Sequence, residues 1–163
     1  HSACSPPVRA YSVLATASEL VLASQIEAVR QNAELHGWKF EQLDPASFIL
    51  GMLAKDGSWF TTLAKCDGFA ARPPAWHWYN PKTKAIDAPR DTPLGGNFFH
   101  SAGVICAPWN RLAYKGVDAR GPHDNWAIGN WMTISETGGT RTLAAMATRI
   151  AHELLTAFTK RMG

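Results

Sequence analysis

Apolar positions first recur at a helical step and then switch to strand patterns. Between Ser12 and Leu35, the residues Leu22, Ile26, Val29 and Ala33 follow at steps of four, three and four, with Glu27, Arg30, Gln31 and Glu34 opposite. That stripe predicts an amphipathic helix, and Gly37 stands where a glycine commonly ends one. Trp38 to Leu43 then alternates apolar and polar residues, Asp44-Pro45 turns, and Ser47 to Ala54 is a continuous apolar run. Asp56-Gly57 signals a hairpin before a returning strand, Trp59 to Cys66. Asp67-Gly68 turns again, and Pro73-Pro74 leads into a fourth strand, Ala75 to Tyr79.

From Asn80 to Gly121 the regular periods disappear. Pro81, Pro89, Pro93, Gly95, Gly96, Gly103, Pro108 and Gly116 interrupt them, yet Phe98, Phe99, Val104, Ile105 and Trp109 make the stretch too apolar for a linker. Long ordered loops of this kind are usually functional. Asn125 to Ile134 is predicted as a short helix, and Thr140 to Arg161 as a clear one, with Leu143, Ala147, Ile150, Leu154 and Phe158 on one stripe. The order is helix, four-stranded antiparallel meander, irregular loop, C-terminal helices: an α+β class. Residues 12–161 read as one domain and residues 1–11 as a flexible N-terminal segment.

Composition narrows the function classes. With 46% hydrophobic and 18% charged residues in 163, the chain has a globular balance and enough length for one full core. A formal charge of +3 from scattered basic residues gives no nucleic-acid tail, so no nucleic-acid partner is expected. Most of the seven tryptophans fall between Trp59 and Trp131, marking the middle of the chain as densely packed. Three cysteines, Cys4, Cys66 and Cys106, leave at least one unpaired, which favours a reducing compartment. His1 to Pro7 lacks a charged-then-apolar secretory pattern, and no apolar run suits a bilayer. The expectation is a cytoplasmic protein without a membrane partner.

Cys106 is the residue best placed for chemistry. It lies in a proline-bounded loop among small residues, where backbone can approach a substrate, and a partly exposed thiol there can act as a nucleophile. His100, His123 and Asp124 could supply base or orienting functions. A buried structural cysteine fits the same residues, because cysteine is often core. His123-Asp124 also fits a turn capping a helix that starts at Asn125. A zinc site from His100, Cys106, His123 and Asp124 lacks the tight Cys-x-x-Cys pairs of structural sites. His36, His77 and His152 read as helix-end, strand and helix-face residues; Cys4 and Cys66 do not invite catalysis.

Several segments resemble the ubiquitin-conjugating enzymes in order and spacing. Asp56-Gly57-Ser58-Trp59-Phe60, Cys66-Asp67-Gly68-Phe69 and Arg72-Pro73-Pro74-Ala75-Trp76-His77-Trp78 are similar to that family's third strand, turn and Pro-Pro approach to the fourth strand. His100 through Cys106 resembles the segment joining the family's His-Pro-Asn motif to its active cysteine. Trp109, Asn110, Arg111 and the downstream His123 resemble the divergent bacterial branch found in operons with ubiquitin-like, activating-enzyme-like and deubiquitinase-like proteins. The resemblance spans roughly Ser12 to Phe158.

It implies a UBC-like fold in which Cys106 carries a ubiquitin-like protein as a thioester and passes it to an amine. The implied partners are an activating-enzyme-like protein, docked on the first helix, the ubiquitin-like protein and a protein acceptor; no cofactor or metal is required. His100 would hold the loop by hydrogen bonds, as the family histidine does. The motif's proline and asparagine are replaced by Ser101 and Ala102, so Asn97 or Asn110 is the candidate amide for the oxyanion. The expectation places neither His100 nor His123 in direct hydrogen-bonding reach of the sulfur. A cysteine hydrolase using Cys106 and His123 would have that contact, with Asp124 behind it. A non-catalytic binding module of the same fold is the remaining alternative.

Overall fold

A computed structural model describes residues 15–163. Cys4, the segment 1–11 and the predicted helix start at Ser12 lie outside the described residues. Helix α1 runs Ala17–His36 from a capping box: Thr16 Oγ1 accepts the Glu19 N–H, and the Glu19 carboxylate accepts the Thr16 N–H. Gly37 closes it in the left-handed region at φ 73°, where a side chain would be strained. Ile26, Val29 and Ala33 are buried on its inner stripe.

Strands β1 (Lys39–Asp44), β2 (Ser47–Leu53), β3 (Trp59–Lys65) and β4 (Ala75–Tyr79) form one antiparallel sheet in chain order. The continuous apolar run becomes β2, which lies between β1 and β3 and needs apolar residues on both faces. Phe48, Leu50 and Met52 join Trp76 and Trp78 in the main core, while Ile49 meets Leu63 and Tyr79 in a small cluster of its own. Helix α2, Leu143–Thr156, starts at the cap Thr142 and packs against α1 and β2. Its buried residues Leu143, Ala147, Ile150 and Leu154 follow the stripe expected from the sequence.

Two helical expectations are corrected. Asn125 to Ile134 forms no α-helix; its only helical element is a single 3₁₀ turn, Ile128–Asn130. Gly129 raises the cost of a helix there by about 1 kcal/mol, and Trp131 is buried as a single anchor rather than as part of a stripe. The C-terminal helix stops at Thr156, short of Arg161, because the chain swings out to pair β6 (Lys160–Arg161) with β5 (Pro93–Leu94). Phe158 still enters the core beyond the helix end. That pairing fastens the long loop at Pro93–Leu94 to the C-terminal segment. Among the described residues no helix is long and apolar enough to cross a membrane.

Candidate functional site

The loop carrying Cys106 is a tight turn built on His100. The His100 N–H donates to Val104 O at 3.1 Å, Gly103 N–H donates back to His100 O at 2.9 Å, and Ala102 N–H donates to the His100 Nδ1 at 3.0 Å. His100 therefore holds the loop through its ring and its backbone. Ser101 is exposed and Ala102 half-buried at the tip of this turn. The chain then returns through a bridge between Phe99 and Ile105, and the Cys106 N–H donates to Phe98 O at 2.8 Å. Cys106 itself is half-buried, whereas Cys66 is sealed in the core and burial pushes its thiol up to about 12.

The Trp109-Asn110-Arg111 stretch ties this loop to the sheet. Asn110 is fully buried: its amide donates to Ile105 O at 2.8 Å, and its oxygen accepts the Trp76 N–H at 2.9 Å. That corrects the expectation that Asn110 offers its amide to an oxyanion, because the carboxamide is occupied by backbone on both sides. Arg111 donates to Pro73 O at 2.9 Å and reaches Asp67 at 3.2 Å. Asn97 stays exposed.

His123 comes to Cys106 from a separate segment. The His123 N–H donates to Ala113 O at 3.2 Å, and Lys115 N–H donates to His123 O at 2.9 Å, forming a short parallel bridge around Tyr114. Gly121 makes the approach possible, since a Cβ there would lie 2.7 Å from the Tyr114 carbonyl carbon and 2.8 Å from the Lys115 nitrogen. The bridge sets the imidazole Nε2 3.1 Å from the Cys106 Sγ. This overturns the expectation that no histidine lies within hydrogen-bonding reach of the sulfur. Asp124 is exposed and makes no hydrogen bond to His123 among the described residues, so the pair has no carboxylate behind it. The capping reading of His123-Asp124 also falls, since no helix begins at Asn125.

The electrostatics leave the pair neutral. Burial pushes the Cys106 thiol above the ordinary cysteine value. Burial also lowers His123, the neighbouring His100 lowers it further, and Asp124 opposes them weakly. With the ring proton on Nδ1, the thiol S–H donates to Nε2 across this contact. Such a pair can pass the thiol proton to the imidazole as the sulfur attacks a carbonyl carbon.

Aromatic residues flank the pair, and the sequence reading missed them. Trp126 stacks on His123 with centroids 3.4 Å apart and planes at 6°. Tyr114 meets Trp126 at 5.6 Å, and both line a cleft of about 210 Å³ next to Pro108. No sequence signal marks a tryptophan three residues after a histidine in a turn. Among the described residues no group of three His, Cys, Asp or Glu is arranged to hold a metal ion. Against known proteins, no family model, no curated protein and no solved structure matches this chain.

Proposed function

We propose that the protein is a ubiquitin-conjugating-enzyme-like acyl transferase, with Cys106 carrying a ubiquitin-like protein as a thioester. The observation that carries the reading is the half-buried Cys106 thiol on a loop that His100 braces and that Asn110 and Arg111 tie to the start of β4. The surrounding α+β order of helix, four-stranded meander, loop and helix is the order this function would use.

The step runs as a thioester exchange. The Cys106 S–H proton moves to His123 Nε2 while the sulfur attacks the acyl carbon of the donor thioester. The donor carbon–sulfur bond then breaks, and the departing thiolate takes the proton from His123. In the second half an acceptor amine attacks the Cys106 thioester, gives a proton to His123 and releases the Cys106 thiolate, which is reprotonated from His123. A neutral resting thiol suits this exchange, because the incoming acyl group already stands at thioester energy. The UBC-like fold, the ubiquitin-like partner and the activating enzyme are implied by the sequence resemblance.

The 3.1 Å Cys106–His123 contact favours a second reading, a cysteine hydrolase that releases its acyl group to water. A mixture of this protein, an activating-enzyme-like protein, a ubiquitin-like protein, ATP and a small primary amine separates the two. Transfer to the amine, with free ubiquitin-like carboxylate a minor product, supports the transferase. Rapid release of free carboxylate regardless of amine, together with cleavage of an amide-linked substrate, supports the hydrolase.

A further inference from the structure

His123 reaches the sulfur with no carboxylate to orient it, and its backbone bridge fixes the Cα while leaving the ring torsions to be set by contacts. The ring's plane is held instead by the Trp126 indole, stacked at 3.4 Å and 6°. Trp126 is braced edge-on by Tyr114 at 5.6 Å, and the Tyr114 hydroxyl donates to Pro108 O at 2.6 Å. Pro108 lies two residues after Cys106, so one aromatic bracket joins His123 to the loop that carries the sulfur.

We propose that Trp126, braced by Tyr114, is the positioning residue for chemistry at Cys106, holding the imidazole so that Nε2 faces the sulfur. It occupies the role that a carboxylate fills in a nucleophile–histidine–aspartate triad. An aromatic face also favours the imidazolium that forms when His123 takes the thiol proton. The proposal rests on the Cys106–His123 pair and holds whether the acyl group passes to an amine or to water. The titratable groups around the ring are Cys106, His100 and Asp124, and Tyr114 lies behind Trp126.

The test is the rate of Cys106 alkylation by iodoacetamide in the full chain from about pH 5 to about pH 9, read by mass on the Cys106 peptide. Melting curves are recorded for each variant. Trp126→Leu is expected to react about tenfold more slowly at neutral pH and to lose the acid limb that His123 imposes. Trp126→Phe, which keeps a ring on the imidazole, is expected to recover the limb and to stay within about threefold of the wild-type rate. Asp124→Asn is expected to keep the neutral rate and the limb, with the limb moved slightly to lower pH. A wild-type rate and limb in Trp126→Leu overturn the proposal. So does loss of the limb in Trp126→Phe at an unchanged melting temperature, or reproduction of the loss by Asp124→Asn.

Discussion

Cys106 and His123 divide the chemistry between a thiol that burial keeps protonated and an imidazole that burial keeps neutral. The pH dependence follows with a definite sign. His123 sits below its ordinary 6.5, so it is a competent base at neutral pH and loses that role only as pH falls through its own lowered value. Alkylation of Cys106 should therefore rise through a limb below pH 6.5, level off, and rise again as the thiol ionises above its ordinary 9.0. His123→Gln is expected to erase the lower limb and keep the upper one, measured by rate against pH. At this scale the sequence made Cys106, His100 and His123 visible by residue type and loop setting. Their pairing was not visible, because His123 reaches the sulfur only through a bridge to residues 113–115 that no local pattern encodes. Asn110 suits an oxyanion by its residue type; its burial against Trp76 and Ile105 depends on packing that the sequence does not display.

The elements were legible where turn chemistry and periodicity agree. Asp56-Gly57 closes the β2–β3 hairpin, with Ala54 N–H donating to Ser58 O at 2.8 Å, and the ladder runs in register from Leu53↔Trp59 to Ser47↔Lys65. They were not legible where a long-range pairing ends a helix, as at Thr156, since no glycine or proline marks the stop. The long loop is instead fixed by charge. Asp87 accepts from His77 Nδ1 at 2.8 Å and from Trp78 N–H at 2.8 Å, and Arg120 pairs with it at 2.9 Å. Burial alone would raise the Asp87 carboxyl, but these partners outweigh it and hold the group below its ordinary 3.8. Its stabilisation is then fully present above pH 3.8 and lost as pH falls through the lower folded value. Asp87→Asn should cost about 3 kcal/mol near neutral pH and flatten this part of the acid unfolding profile, measured by urea titration across pH. Gly121 gives a second expectation at this scale: Gly121→Ala would push its Cβ into the backbone of Ala113 to Lys115 and move His123 away from the sulfur. Alkylation at neutral pH should fall by about tenfold or more, with a lowered melting temperature.

At the scale of the whole molecule, α1 joins the core with one stripe and leaves Leu20, Val21 and Leu35 exposed at 61%, 55% and 77%. Under the proposed function this outer surface is where the activating enzyme docks. Leu20→Glu with Val21→Glu should then slow charging by about tenfold while leaving Cys106 alkylation and the melting temperature close to wild type. The central claim, an acyl group held on the Cys106 sulfur, is tested most directly by intact mass after incubation with the activating enzyme, the ubiquitin-like protein and ATP. The expected result is one added ubiquitin-like mass that a thiol reductant removes. In Cys106→Ser the mass should persist through reductant as an oxyester, and in Cys106→Ala it should be missing. An adduct that survives in Cys106→Ala, or one in the wild type that reductant does not remove, would contradict the account.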